Sequence, residues 1–427
     1  MALETYKFRL YPTDGQKVLL SKHFGHVRFV YNWALEKCET EYKSNVKFKG
    51  WMSIIGGGDF MRLKEANPWL YEVNAQSMVN AVAHLGRAFD NFFKNKGGYP
   101  KFKSKFNNKQ SFEIPAGFKI DFKAKKIQLP KFVKTKTEDN RIPFVLSRKV
   151  KKGKFGTATV SRNATGEYYV SFIVHTKEEL PEFSGSITKD NSVGIDFGLK
   201  HFLTFSNGEV VDSPEFYKRS LAKLRKVSRN FSHKKKGSKN RNKARLRVAK
   251  LHQHIANQRE DFLHKLTTRL VEENQFDVFC LEDLNLEGMS KLWGRKIHDL
   301  SQNTFVSMLS YKCMKHGKKL VKIGRFEPSS QICSSCGHRQ RMPLKERTYL
   351  CPECGMSLDR DINAAINIRD FAVRRFLEES LQNTDGTSGI NACGEETSSL
   401  EAVKADGSSL VCEVGIFPTS LGNLSRL

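Results

Sequence analysis

The sequence predicts an α/β protein that carries a small cysteine-rich metal module toward its C-terminal end. From Val193 onward, short apolar runs typical of strands alternate with long stretches that keep helical spacing. Four cysteines form two close pairs within residues 328–357. Residues 1–190 are predicted to form one strand, a mostly helical region and then several short strands. With 427 residues, the chain is long enough for two or three domains with cores of their own.

The N-terminal half begins with a predicted strand, because apolar and basic residues alternate over Tyr6–Leu10. The stretch Thr13–Phe93 is predicted to be mostly helical, with a break at the three glycines 56–58. Short strands follow over about 112–180, and Asn163–Gly166 is a turn signal between two of them.

The second half begins with a predicted strand, turn and strand, and Asn207–Gly208 is a hairpin signal within it. Two long helices are expected at about 215–231 and 240–275, followed by a buried strand in FDVFCLEDL. A further helical stretch, the short strand LVKIGRF and a capped helix beginning in DINAAINI complete the pattern.

The net charge of +27 indicates a polyanionic partner. The charge is uneven, because residues 381–427 hold six acidic and two basic residues, and this Gly-, Ser- and Thr-rich segment is predicted to be a disordered tail. The sequence has neither an apolar run of 18 residues nor an apolar leader segment, so we expect no spanning helix and no secretion.

The strongest basic segment runs from Lys218 to Arg259, with 16 Lys or Arg residues and no Asp or Glu. A solvated helix face is the ordinary alternative, but so one-sided a block repels itself, and phosphates are its natural counter-charge. A second segment, residues 91–112, interleaves six lysines with six aromatic residues and has no acidic one. Its aromatic side chains could stack on bases or pack against a sheet.

The cysteine pairs form the most specific motif, Cys333-x2-Cys336-x14-Cys351-x2-Cys354. Two such pairs, each followed by a glycine, are typical of knuckles that close a tetrahedral thiolate shell around Zn²⁺. A closed four-thiolate shell leaves no open coordination position, so this zinc is expected to be structural. The other five cysteines are scattered, which argues for a reducing compartment rather than a disulfide framework.

Three carboxylates form a second candidate site. Asp196 and Glu282 each end an apolar strand, and Asp361 opens a helix. Carboxylates so placed can hold two divalent ions that activate water and stabilise the leaving oxygen of a phosphodiester. Each also has an ordinary alternative, as a turn residue, a surface ion-pair partner or a helix-start carboxylate. Asp283 competes with Glu282, and Asp359 with Asp361, for a place in this site, and spacing alone does not separate them.

The order of these motifs resembles the TnpB family, the transposon-encoded nucleases related to type V CRISPR effectors. The resemblance is carried by GIDFG, the basic helical region, LEDL, SSQICSSCG, CPECG and DRDINAAINI, and it spans all but about the last 45 residues. Matched residue by residue, it implies that Asp196, Glu282 and Asp361 are the catalytic, magnesium-binding carboxylates. It also implies that the four paired cysteines belong to a zinc ribbon.

The resemblance further implies a fold. It predicts an RNase H-like (RuvC) nuclease domain with an inserted zinc ribbon, preceded by a β-barrel wedge domain that a helical recognition insertion interrupts. The expected boundaries are 1–12 and 101–190 for the wedge, 13–100 for the recognition insertion, 191–327 and 358–380 for the nuclease domain, 328–357 for the zinc ribbon and 381–427 for the tail.

The implied activity is that of a metal-dependent endodeoxyribonuclease, directed by a guide RNA from the transposon end to double-stranded DNA beside a short flanking motif. The expected cofactors are two Mg²⁺, with Mn²⁺ as a substitute, and one structural Zn²⁺. We expect a monomer in a prokaryotic cytoplasm, with no membrane partner. A guided binder without cleavage and a strand-transferring transposase are the alternatives. Candidate nucleic-acid contacts are Lys234, Lys235, Lys236, Lys239, Arg241, Lys101, Lys103, Gln76 and Asn80.

Overall fold

The computed structural model divides into two compact units, Met1–Glu179 and Leu180–Leu427. Within the described residues, no helix is long and apolar enough to cross a membrane. Most of the predicted acidic tail, from residue 385 onward, lies outside the described residues. The structure describes residues 2–44, 51–107, 109–132, 139–284, 294, 299–343 and 345–384.

Among the described residues of the first unit, one strand precedes a set of helices in the chain and six strands follow it. Its elements are β1 (Ala2–Leu10), α1 (Asp14–Lys43), α2 (Trp51–Gly56), α3 (Asp59–Ala66), a 3₁₀ helix (Pro68–Glu72), α4 (Ala75–Phe93), β2 (Gln110–Ile114), β3 (Lys119–Asp121), β4 (Lys126–Gln128), β5 (Ile142–Pro143), β6 (Lys154–Arg162) and β7 (Tyr168–Thr176). The predicted alternation over Tyr6–Leu10 is confirmed, since the apolar residues of this segment are buried and its basic residues are exposed. The glycine break separates α2 from α3, as predicted.

Two sheets organise this unit. One has the order β1-β7-β6-β2 with antiparallel pairs, and the other has the order β3-β4-β5. Because β1 pairs with β7, the first strand closes onto the last, and α1 to α4 lie between β1 and β2 in the chain. A Thr13–Gln16 capping box starts α1: the Thr13 hydroxyl accepts from the Gln16 N–H, and the Gln16 side chain accepts from the Thr13 N–H.

The second unit is built on a five-stranded sheet. Its elements are β8 (Ser192–Phe197), β9 (His201–Phe205), β10 (Val210–Asp212), α5 (Phe216–Ser232), α6 (Lys239–Glu272), β11 (Val278–Glu282), α7 (Gln302–Lys315), β12 (Lys319–Ile323), β13 (Thr348–Leu350), β14 (Ser357–Asp359) and α8 (Arg360–Thr384). The sheet order is β10-β9-β8-β11-β12, in which β8, β11 and β12 are parallel and β9 and β10 are antiparallel. The predicted long helices and buried strand are confirmed.

The interior strand β11, between β8 and β12, is buried on both faces, which explains its continuous apolar sequence. Phe279 and Leu281 lie in the core cluster formed with residues of α6 and α7. Val278 and Cys280 lie in a second cluster, which includes Ile368 of α8. The sheet is therefore covered by helices on its two sides.

Gly194 in β8 allows α8 to lie directly on the sheet. A Cβ at this position would be 1.9 Å from the Ala365 carbonyl oxygen and 2.8 Å from the Arg369 nitrogen. Both neighbours are backbone atoms of α8, so neither can move aside as a flexible side chain would. The absence of a side chain at Gly194 thus sets the distance between β8 and α8.

We expect Gly194→Ala to push α8 away from β8. Overpacking of this kind should lower the free energy of unfolding by about 1–3 kcal/mol or more. The measurement is urea unfolding of the full-length, zinc-loaded protein. Gly324→Ala is the control, because a Cβ at Gly324 would meet only the Glu327 side chain at ordinary contact distance. Equal stability of the two variants would contradict the close contact.

Candidate metal centres and nucleic-acid surface

The parallel pairing of β8 and β11 brings two acidic residues to one edge of the sheet. Ile195 lies opposite Leu281 in the register, so the residues that follow them, Asp196 and Glu282, lie side by side where the strands approach their ends. Both side chains are half-buried. The fold places these two predicted site residues together because parallel strands end at the same edge of a sheet.

Asp361 joins this edge from the first turn of α8, whose packing on Gly194 carries it there. Burial raises the pKa of Asp196, and the negative charges of Asp361 and Glu282 add to that rise, which indicates that Asp361 lies near Asp196. Asp359, just before the helix, accepts hydrogen bonds from the backbone N–H groups of Asp361, at 2.8 Å, and Ile362, at 3.3 Å. Asp359 therefore caps α8.

Burial is the main reason why the pKa values of Asp196 and Glu282 are raised. It raises the pKa of Asp196 to about 7, with Asp361 and Glu282 adding to the shift and the Arg360 guanidinium opposing it. Burial also raises the pKa of Glu282 to about 7, and the charge of Asp283 adds to it. Carboxylates held together with little water are unfavourable as anions, and bound divalent cations would relieve that cost.

Two arginines that we did not predict neutralise Asp361. Its carboxylate oxygens lie 3.3 Å from an Arg360 nitrogen and 3.6 Å from an Arg347 nitrogen. Arg360 stands beside Asp361 in the sequence, which is a local signal. Arg347 is 14 positions upstream, before β13, and no sequence pattern connects it with the carboxylates.

The competitors of the proposed carboxylates have local partners of their own. Asp283 forms an ion pair with Arg325, with an oxygen–nitrogen distance of 2.9 Å and both side chains 46% exposed. The Asp359 carboxylate accepts hydrogen bonds from two backbone N–H groups of α8. These contacts give Asp283 and Asp359 structural roles.

The four paired cysteines form a compact thiol cluster. The sulfur atoms of Cys333 and Cys354 are 3.6 Å apart, those of Cys336 and Cys351 are 3.5 Å apart, and all four lie within 4.8 Å of one another. A tetrahedral Zn²⁺ with zinc–sulfur bonds of roughly 2.3 Å requires sulfur–sulfur distances of about 3.8 Å. The cluster therefore fits a metal ion such as Zn²⁺.

The backbone around each cysteine pair forms the same turn. The N–H of Gly337 donates to the Cys333 carbonyl at 3.0 Å, and that of Gly355 donates to the Cys351 carbonyl at 3.1 Å. Both glycines have positive φ, +80° and +68°, a conformation that side chains strain. Tyr349 is fully buried beneath the cluster. The chain thus builds both knuckles from local sequence.

The basic segment folds into a helical hairpin, α5 and α6, that holds itself together through Leu224, Leu251 and Ile255. The candidate contacts Lys234, Lys235 and Lys236 are exposed in the turn between the helices, and Lys239 begins α6. The candidate Arg241 instead closes the turn: its guanidinium donates to the Lys234 carbonyl at 2.7 Å and lies 4.3 Å from the Phe231 ring.

The candidate contacts of the first unit lie in two places. Lys101 and Lys103 follow α4, and the Lys103 ammonium lies 3.8 Å from the centre of the Tyr31 ring. Gln76 is exposed on α4, and Asn80, one turn later, donates to Glu113 at 3.4 Å. Lys101, Lys103 and Gln76 are exposed, and Asn80 is half-buried.

Comparison with protein families gives three matches. They are described as "Probable transposase" over residues 177–292, "Cas12f1-like, TNB domain" over residues 303–368 and "Helix-turn-helix domain" over residues 1–47. Over the described part of residues 1–47, the structure has β1 and the single helix α1.

Known proteins match most of the chain. A protein of Streptomyces pristinaespiralis named "Putative RNA-guided DNA endonuclease" is 38% identical over 368 residues, which cover 85% of this chain and 88% of the relative. "Putative RNA-guided DNA endonuclease InsQ" of Escherichia coli (strain K12) is 27% identical over 384 residues, with 86% and 91% covered. "TnpB-like protein L79" of Acanthamoeba polyphaga mimivirus is 28% identical over 244 residues, with 52% and 44% covered.

One solved structure shares the overall fold. It is titled "Cryo-EM structure of the Cas12f1-sgRNA-target DNA complex", and it matches with a TM-score of 0.53 and 14% identity over 86% of this chain and 98% of that one. The mixed sheet and the four-cysteine cluster thus define the class, α/β proteins with the fold of Cas12 effectors. Within that class, the chain belongs to the TnpB family, as the identity to its relatives shows and as its motifs predicted.

We expect purified protein to contain about one zinc per chain, because the thiol cluster closes one tetrahedral shell. Cys351→Ser should lower the zinc content and reduce the stability of the second unit. The measurements are metal analysis by mass spectrometry and thermal unfolding. Cys38→Ser, at a buried thiol of the first unit, is the matched control and should keep its zinc. Full zinc content in Cys351→Ser would contradict the site.

Stability without divalent cations should fall as the pH rises. The raised pKa values of Asp196 and Glu282 mean that the folded chain binds more protons than the unfolded chain between about pH 4 and pH 7. Asp196→Asn should therefore unfold with a free energy higher than wild type by roughly 2–4 kcal/mol at pH 8, and the gain should shrink at pH 4. Urea unfolding in Mg²⁺-free buffer measures this. Asp212→Asn, at an exposed edge-strand carboxylate, is the control, and a gain that is equal at both pH values would contradict the assignment.

Proposed function

We propose that this protein is an RNA-guided DNA endonuclease that hydrolyses phosphodiester bonds of double-stranded DNA beside a short flanking motif. The observation that carries the proposal is the placement of Asp196 and Glu282 at the ends of two paired parallel strands, with Asp361 near enough for its charge to add to the burial that raises the pKa of Asp196. Support also comes from the relatives of 38% and 27% identity, whose names describe RNA-guided DNA endonucleases.

The proposed domain arrangement follows from the sheets. We assign residues 191–327 and 358–380 to an RNase H-like (RuvC) domain, supported by the strand order β10-β9-β8-β11-β12. The ribbon at 328–357 contains all four paired cysteines and enters the unit between β12 and α8. In the first unit, the pairing of β1 with β7 supports a wedge domain, at 1–12 and 101–190, interrupted by a helical recognition insertion at 13–100.

In the proposed mechanism, Asp196, Glu282 and Asp361 would hold two Mg²⁺, with Mn²⁺ as a substitute. Bound ions of this kind supply an activated water and stabilise the leaving oxygen of a phosphodiester. The chain itself fixes the carboxylates on rigid elements, two strands and the start of a helix. Arg360 and Arg347 neutralise Asp361 while no cation is bound, and their guanidinium groups are suited to phosphate oxygens.

Basic side chains would hold the nucleic acids by their backbones, and base pairing with the guide would select the sequence. The exposed Lys234, Lys235 and Lys236 and the neighbouring Lys239 suit contacts with phosphates. Arg241 would act indirectly, by closing the turn that presents these lysines. In the first unit, Lys101, Lys103, Gln76 and Asn80 remain candidates for contact with the flanking DNA.

The proposal is tested with protein co-expressed with its native transposon flank. The co-purifying RNA is sequenced, and the complex is then given plasmids with a matched target and a randomised flank, with and without Mg²⁺. We expect double-strand breaks that need both guide and Mg²⁺ and that occur beside one motif. Bound RNA without breaks would favour a guided binder, and DNA joined to a new strand would favour a transposase.

Asp196→Ala should reduce cutting of the matched plasmid by at least about 1,000-fold, because the central carboxylate of the cation site is lost. Binding of guide RNA and target DNA should change little, since phosphate contacts supply most of the affinity. Asp212→Ala removes an exposed carboxylate of the edge strand of the same sheet, and it should cut like wild type. Wild-type cutting by Asp196→Ala would refute the assignment.

A further inference from the structure

Two asparagines on α8 are buried and bonded to the first cysteine knuckle. Asn363 is fully buried and Asn367 is 4% exposed. The Asn363 side chain accepts a hydrogen bond from the Ser334 N–H at 3.0 Å and donates to the Ile332 carbonyl at 2.8 Å. Asn367, one helical turn later, donates to the Ser329 and Ile332 carbonyls, both at 2.7 Å.

These hydrogen bonds lie on both sides of Cys333 in the sequence. Ile332 and Ser334 are its two chain neighbours, so the backbone on both sides of the first metal-binding sulfur is fixed to α8. All of the partners are main-chain groups, which a replacement of the ribbon side chains would not remove. A buried amide bonded in this way is costly to lose, because the main-chain groups it satisfies would remain buried without partners.

The same helix carries Asp361, two residues before Asn363. The start of α8 is therefore held by the backbone contact at Gly194 on the sheet side and by the asparagines on the ribbon side. A shift of the knuckle would be passed to the first turn of α8, and Asp361 would move relative to Asp196 and Glu282, which stand on strands.

We propose that Asn363 and Asn367 are positioning residues through which the zinc-bound knuckle sets the place of Asp361, and with it the affinity of the carboxylate site for divalent cations. The inference rests on the proposed carboxylate site. The zinc cluster then does more than stabilise the ribbon, because its geometry is transmitted to the acidic edge by hydrogen bonds of side chains two and six residues after Asp361. Groups that orient the ligands of a metal commonly change its affinity by about 10–100-fold when they are removed.

A purely structural role would have a different signature. If the asparagines only stabilised the fold, their loss would lower the unfolding temperature without changing the cation concentration at which the site fills. A positioning role predicts a weaker cation affinity in protein that is folded and still holds zinc. Asn191 provides a matched control, since its side chain also accepts one backbone hydrogen bond, from Thr188, and donates another, to Ser186, at the start of the same unit.

The experiment measures Mn²⁺ binding to full-length, zinc-loaded protein without RNA, by the electron paramagnetic resonance signal of free Mn²⁺. Wild type, Asn363→Ala, Asn367→Ala and Asn191→Ala are compared. Asp196→Ala defines the Mn²⁺ bound elsewhere, which is subtracted. In parallel, the guide complexes of these variants are assayed for the Mg²⁺ concentration that gives half-maximal cutting.

We expect Asn363→Ala to raise the dissociation constant for Mn²⁺ about 10-fold with zinc content unchanged. The Mg²⁺ concentration for half-maximal cutting should rise by a similar factor, and saturating Mg²⁺ should restore most of the rate. Asn191→Ala should change neither value. If Asn363→Ala loses its zinc, Asn367→Ala decides the matter, because it keeps the contacts of Asn363 with Ile332 and Ser334.

An unchanged Mn²⁺ affinity in zinc-loaded Asn363→Ala and Asn367→Ala would overturn the inference, as would wild-type Mn²⁺ binding no different from that of Asp196→Ala. Failure of the proposed function looks different. A wild-type complex that does not cut, although the asparagine variants weaken Mn²⁺ binding, would remove the nuclease assignment and keep the positioning role.

Discussion

The second unit depends on one backbone contact, that between Gly194 in β8 and Ala365 in α8. No side chain fits between these segments, since even a Cβ would be 1.9 Å from the Ala365 carbonyl oxygen. The contact fixes the helix on the sheet, so Asp361 reaches the edge where Asp196 and Glu282 already stand because of strand register. The ribbon precedes α8 in the chain and is hydrogen-bonded to it through Asn363 and Asn367. Strand pairing alone would bring two of the three carboxylates together.

Much of the second unit could be predicted from local sequence. Apolar runs predicted β8 and β11, helical spacing predicted α5 and α6, and the cysteine spacing predicted the thiol cluster that the structure shows. These features depend on residues close together in the chain. The sequence also led us to expect acidic groups at one sheet edge, because strand ends with carboxylates are visible without knowing the register.

Other features depend on contacts between distant residues, and no local pattern shows them. Spacing could not separate Glu282 from Asp283, and the difference lies in the Arg325 partner of Asp283, 42 positions away. The pairing of Arg347 with Asp361 and the bonds of Asn363 to the knuckle are of the same kind. The contacts of the Arg241 guanidinium with the Lys234 carbonyl and the Phe231 ring also join residues of the two helices and their turn, and no sequence pattern predicted them.

The helical hairpin of α5 and α6 has a consequence for the life of the protein in a cell. It holds together through only a few apolar side chains while carrying most of a block of 16 basic residues. Without a polyanion, repulsion between the basic side chains favours opening of the helical hairpin. Opened segments are where proteases cut. Nucleic acid that binds only the closed hairpin would stabilise it by mass action. Under the proposed function, turnover would therefore fall first on copies without bound RNA, and the amount of protein would follow the supply of the proposed guide.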